Sequence, residues 1–154
     1  MNIHSLDELS TVTRSLVAVN VAENVCNDQS VTELDFRPFW NLRVLQIGNG
    51  SFTHVNEFDL YAVHLLERVV IGRDCFTIPD NSCCVRQGYF YLRFCERLKE
   101  IRIGCNSFSD YTVWEIGNAK RLEVIEIGKL NERSDNFLWA DLRLESSSNG
   151  VSEE

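Results

Sequence analysis

The chain has 154 residues, 44% hydrophobic and 25% charged, with 15 basic against 23 acidic side chains for a net charge of −8. That length makes one domain-sized unit able to bury a real core, and the acidic balance opposes a phosphate backbone, so nucleic acid is not an expected partner. No apolar run approaches the roughly 18 residues that a membrane span requires, so no membrane partner is expected either.

The first predicted element is a helix. Ser5-Leu6-Asp7-Glu8 has the form of a capping box, and Leu6, Leu9, Val12 and Leu16 follow at helical spacing. A short amphipathic helix is expected from Leu6 to about Arg14, with residues 1–14 forming a cap over the units that follow. Asp7 and Glu8 stand where a signal peptide needs a basic flank and an apolar stretch, which predicts a cytoplasmic protein. There the six cysteines (Cys26, Cys75, Cys83, Cys84, Cys95 and Cys105) read as reduced thiols, and the sequon Asn49-Gly50-Ser51 carries no meaning. "LVAVNVA" after the helix reads as the first strand.

The chain then repeats itself. Leu42 to Gly48, Leu66 to Gly72, Leu98 to Gly104 and Leu122 to Gly128 share L-x-x-[aliphatic]-x-I-G, with glycines 24, 32 and 24 residues apart. The middle interval is one period carrying eight inserted residues. Phe52, Phe76 and Phe108 each follow their glycine by four, and a second apolar pair recurs as Leu34/Phe36, Phe58/Leu60, Phe90/Leu92 and Trp114/Ile116. After Gly128 the unit lengthens, with Phe137 in the Phe column and Leu142/Leu144 as the pair. "TIPDNSCCVRQG" and "KLNERSDN" are expected to bulge as loops.

Each column has a physical reading. The alternating apolar residues point to one face of a short strand, and the glycine is expected to turn the chain through positive φ. Phe fills the bend, and the second pair marks another strand. Both strand types then stack on their counterparts one coil away, about 4.8 Å distant, so that no coil hides its core alone. The expected fold is a right-handed repeat solenoid, mostly parallel β, of about five coils over residues 15–145, with a disordered acidic tail over 146–154.

L-x-x-I-x-I-G-x-x-[SC]-F resembles an irregular member of the leucine-rich-repeat superfamily, of the compact kind found in single-celled eukaryotes and bacterial surface proteins. The resemblance covers about Leu34 to Leu144 and is clearest in "FSDYTVWEIGNAKRLEVIEIG". Glycine stands where better-known repeats place Asn or Cys after the strand. The resemblance implies protein binding.

Catalytic signatures are absent from the sequence. His4, His54 and His64 lack H-E-x-x-H spacing, and there is no phosphate loop and no G-x-S-x-G. His64 reads as a turn residue and Cys95 as a small buried packing residue. Without a C-x-x-C pair neither a metal nor another cofactor is expected, and the chain is not expected to be an enzyme. An enzyme built on the cysteine-rich insertion would need a thiol of depressed pKa.

The working surface is expected on the outward side of the second strand type. Glu57, Asp59, Tyr61, Tyr89, Tyr91, Arg93, Glu115 and Arg143 are its candidate binding residues. Aromatics beside charges suit a protein interface, because they bury large areas while keeping a polar handle. The favoured function is a non-catalytic scaffold or adaptor. The alternative is a structural subunit locked into an assembly, or self-associated, through an uncapped C-terminal coil around Leu142 to Leu144.

Overall fold

The computed structural model of the chain describes residues 2–5, 7–8, 15–78, 88–129 and 132–145. Eleven strands lie among them: β1 (Asn2–Ile3), β2 (Ala18–Val21), β3 (Glu33–Asp35), β4 (Val44–Ile47), β5 (Glu57–Tyr61), β6 (Arg68–Ile71), β7 (Tyr89–Arg93), β8 (Glu100–Ile103), β9 (Val113–Gly117), β10 (Val124–Ile127) and β11 (Asp141–Glu145). β1-β2-β4-β6-β8-β10 form one sheet and β3-β5-β7-β9-β11 a second, and every pairing is parallel. From β2 onward the chain alternates between the two sheets, so each pair of strands is a coil lying on the coil before it.

The register reproduces the sequence columns. Val21, Ile47, Ile71, Ile103 and Ile127 stand in one row of the first sheet. Leu34, Phe58, Phe90, Trp114 and Leu142 stand in one row of the second. Across the 32-residue interval Arg68 still opposes Glu100, so the insertion shifts no column. Residues 79–87 of that insertion, including Cys83 and Cys84, lie outside the described residues, as do 130–131 of the second predicted loop and the tail over 146–154.

Between the sheets the Phe columns merge into one aromatic core. Ring centroids of Phe52 and Phe76 are 5.6 Å apart, Phe76 and Phe108 4.6 Å, and Phe108 and Phe137 4.9 Å, all with nearly parallel planes. Phe58 and Phe90 stack at 5.2 Å, and Trp114 closes on Phe137 at 4.4 Å. The coil spacing thus falls at the stacking distance of aromatic rings, worth about 0.5–1.5 kcal/mol per pair beyond burial. Phe52, Phe76, Phe108 and Phe137 all sit in the left-handed region, at φ 59°, 55°, 61° and 50°. That backbone costs a bulky residue roughly 1–3 kcal/mol, which burial of the ring, complete at Phe52, Phe76 and Phe108 and partial at Phe137, offsets by up to about 1.5–3 kcal/mol.

Of the column glycines Gly128 has the expected positive φ, whereas Gly48, Gly72 and Gly104 do not. In those coils and the first, the left-handed turn lies three residues beyond the strand, at Asn24, Gly50, Asp74 and Asn106, mostly types that tolerate it. Gly48, Gly72 and Gly104 are needed because the previous coil touches them. A Cβ at Gly48 would lie 2.7 Å from the Ala22 carbonyl carbon, and one at Gly104 2.6 Å from that of Gly72.

The same contact carries a hydrogen-bond ladder. Ser51 Oγ donates to the Ala22 carbonyl at 2.9 Å, Cys75 Sγ to Gly48 at 3.1 Å, Ser107 Oγ to Gly72 at 2.7 Å, and Asn136 Nδ2 to Gly104 at 2.7 Å. The Ser/Cys column therefore caps a carbonyl of the coil beneath.

Within the predicted Leu6 to Arg14 helix, Asp7 and Glu8 are in helical conformation, and its other residues lie outside the described ones. Of the capping box, Glu8 N–H donates to Ser5 Oγ at 3.2 Å, and the Glu8 carboxylate accepts from His4 N–H at 2.7 Å. β1, unforeseen because two residues carry no alternation, pairs with β2 and buries Ile3 completely.

Gly104→Ala is expected to destabilise by about 1–3 kcal/mol, the range for overpacking. Gly117→Ala, whose Cβ meets only Arg93 Cγ at 3.6 Å, is expected to be neutral or slightly stabilising. Urea denaturation of both variants measures the contrast, and equal losses would contradict the close approach.

Candidate functional site

Alternation along β5, β7, β9 and β11 turns the even-numbered apolar side chains inward and the odd-numbered ones outward. The eight predicted residues therefore share the outer face of the second sheet, and register decides their neighbours. Glu57 lies beside Tyr89, Asp59 beside Tyr91, and Tyr61 beside Arg93. Tyr91 lies beside Glu115, and Glu115 beside Arg143. One row thus reads Asp35, Asp59, Tyr91, Glu115, Arg143 across five strands.

Arg93 organises the middle of this face. Its guanidinium stands 4.2 Å from the Tyr91 ring centroid, and its Nε donates to Glu115 Oε1 at 2.5 Å. Tyr91 in turn stacks on Tyr89, with centroids 6.0 Å apart and planes 12° from parallel. The bond from Arg93 holds the Glu115 carboxyl below its ordinary range. Glu115, only 8% exposed, is a buried counter-ion to Arg93 and not a free contact residue.

The edge toward β3 is acidic. Glu33 opposes Glu57 and Asp35 opposes Asp59, so like charges face one another on neighbouring strands, an arrangement that costs stability. Burial pushes the Asp35 carboxyl up, but hydrogen bonds from Arg37 outweigh it and leave it below the ordinary range. Asp59 lacks that help. Burial raises its pKa against the opposing pull of Arg93 and Arg37, and its Oδ1 is buried without a hydrogen-bond partner among the described residues. Glu33 and Glu57 form no ion pair among the described residues.

The outer face of the first sheet is different in kind. Arg43 pairs with Glu67 at 2.5 Å, Arg68 with Glu100 at 2.9 Å, and Arg102 with Glu126 at 2.7 Å. Its charges neutralise one another along the strand rows.

Two residues of the site escaped the sequence reading. Phe94, at φ 58° and 39% exposed, sets its ring edge-on to Tyr61 at 5.4 Å. It stands in the turn column where other coils hold Ala62 and Asn118, so a large ring at a position of small or polar residues was the available signal. Arg37 was hidden because it acts from the loop after β3, reaching back to Asp35 at 2.9 Å.

The cysteines divide by position. Cys75 belongs to the Ser51/Ser107 column, three residues after its glycine, and Cys105 to another, one residue after its glycine. Burial raises the Cys75 thiol to about 11 and that of Cys95 to about 12. Cys95 is fully buried and donates to the Leu60 carbonyl at 3.1 Å, and His64 is an exposed turn residue. Among the described residues no group of three or more His, Cys, Asp or Glu is placed to hold a metal, and no helix is long and apolar enough to cross a membrane.

No family model, no curated protein and no solved structure matches the chain.

Two measurements check this electrostatic picture. Because folding raises the Asp59 pKa, the destabilisation is present above the raised value and fades as pH falls through it. Asp59→Asn is therefore expected to raise the urea midpoint at pH 7, with the gain shrinking on acidification; a gain that grew instead would contradict the buried, unpartnered carboxylate. Cys75 and Cys95 are expected to alkylate at pH 7.5 only on unfolding, read by mass spectrometry of native against urea-treated protein.

Proposed function

We propose that this chain is a leucine-rich-repeat-type solenoid acting as a non-catalytic, cytoplasmic protein-interaction module, with the outer face of the second sheet as its binding surface. The observation that carries the reading is the contrast between the two outer faces. On the first sheet acids and bases pair across strands. On the second, four carboxylates (Glu33, Asp35, Glu57 and Asp59) crowd beside a stacked Tyr89/Tyr91 pair at the cost of like-charge rows. A surface that keeps unfavourable charge next to rigid aromatic area is suited to a partner that brings the opposite charge.

The partner this fits is a protein segment presenting lysine or arginine, seated with its basic groups over Glu57 and Asp59 and its apolar stems on the tyrosines. Arg93 holds Tyr91 in place, and Glu115 holds Arg93. Free thiols at Cys26, Cys75, Cys95 and Cys105 suit a reducing compartment.

A second reading has its own observation. Ile125, Ile127, Leu142 and Leu144 occupy core columns but are 39–65% exposed, so the C-terminal coil suits a subunit fastened into an assembly.

Capture from native cells tests the first reading. Tyr89→Ala with Tyr91→Ala is expected to weaken capture of a specific partner by about tenfold or more, the scale of an interface hot spot. Rising salt is expected to weaken it as well. Arg102→Ala on the first sheet is expected to leave it intact. A partner lost with Arg102→Ala and kept by the tyrosine variant would transfer the function to the other face.

A further inference from the structure

The two ends of the stack are unlike. At the first coil the core columns are closed: Ile3, Val19 and Phe36 are fully buried, and Val21 and Leu34 are 4% exposed. At the last coil they are open. Ile125 is 43% exposed where Ile101 beneath it is 0%, and Leu144 is 65% exposed where Ile116 is 5%. Between β10 and β11 the opening forms a groove of about 510 Å³ whose apolar lining is Ile116, Ala119, Leu122, Ile125 and Leu144, beside three charged side chains. Ile116 belongs to the core, and both sheets end there on a strand edge.

We infer that a second copy of this chain covers that end, tail to tail, as a two-fold dimer in which β11 pairs antiparallel with the partner's β11. This rests on the second reading above and names its partner.

Three observations select this occupant. First, the closed N-terminal end rules against head-to-tail stacking, because a second copy's first coil has no open core to offer the groove. The remaining arrangement of identical chains is the isologous one, open end on open end. Second, β10 and β11 are the terminal strands of their sheets, so among the described residues both strand edges beside the groove are unpaired and one copy offers another a matching pair of edges.

Third, the outward side of β11 is self-complementary. It reads Asp141, Arg143, Glu145 between the inward Leu142 and Leu144. If the two-fold axis passes through Leu142, Arg143 of each copy faces Asp141 of the other. If it passes through Leu144, Arg143 faces Glu145. An axis at Arg143, Asp141 or Glu145 sets like charges opposite. Both favourable registers also bring an inward leucine of one copy onto its own counterpart, which closes the apolar column.

Sedimentation velocity on the purified full chain across a micromolar concentration series tests the inference. The expected result is a reversible monomer–dimer equilibrium with no larger species. Arg143→Glu is expected to weaken the dimer about tenfold or more, and adding Asp141→Arg and Glu145→Arg to it is expected to restore the dimer by exchanging the charges. Leu144→Lys, at an already exposed site, is expected to abolish dimerisation with unchanged circular dichroism. A monomer at every concentration, or a mass that keeps growing as in a filament, would overturn the inference. If the purified chain is monomeric while Leu144→Lys abolishes a fixed-stoichiometry complex isolated from native cells, the assembly reading stands and the second copy falls. If that complex is unaffected, both fall.

Discussion

The structure depends on how closely one coil can approach the next. Parallel strands hydrogen-bond at about 4.8 Å, and at the corner after each first-sheet strand the backbone of the coil below comes nearer still. Gly48, Gly72 and Gly104 make that approach sterically allowed, and Ser51, Cys75, Ser107 and Asn136 each donate a hydrogen bond to a carbonyl there. A buried carbonyl left without a donor costs about 1–3 kcal/mol, so the small residue and the polar residue three positions later work as one device. Cysteine can serve in the column because its thiol, held protonated by burial, remains a donor.

From that spacing the rest follows in order. Aromatic rings at matching positions are carried to stacking distance, and the left-handed backbone at each Phe is held by the burial of its ring. Register also decides the outer surface, because a strand slipped by one residue would turn the Tyr89 and Tyr91 side chains into the core. The row Asp35, Asp59, Tyr91, Glu115, Arg143 exists only because five separated segments stack in phase.

A stack of this kind must also end. β1 and the fully buried Ile3 close the first coil, whereas the last coil leaves inward leucines and isoleucines in contact with water. Monomeric proteins rarely expose contiguous apolar surface continuous with their core, and two open strand edges beside it invite pairing. The asymmetry of the ends separates the two proposed surfaces: a charged aromatic face along the side of the stack, and an apolar edge at its terminus.

The recurrence of L-x-x-I-x-I-G was sufficient to determine which residues lie in the same row, which face inward, and that the eight candidate residues share one face, because strand alternation and repeat phase are properties of spacing alone. It did not reveal why most of the glycines stand where they do. Positive φ was the reading available from a single chain segment and holds at Gly128, while at Gly48, Gly72 and Gly104 the cause is backbone belonging to another coil. The same limit explains Phe94, whose partner Tyr61 lies on another strand, and Glu115, whose pairing with Arg93 no alternation pattern encodes; Arg37 was missed locally, because it reaches Asp35 two residues back from a loop outside the strand columns. Spacing along the chain determines the columns; what each column touches is decided only when the coils are laid on one another, since close contact, desolvation and charge pairing depend on distance through space.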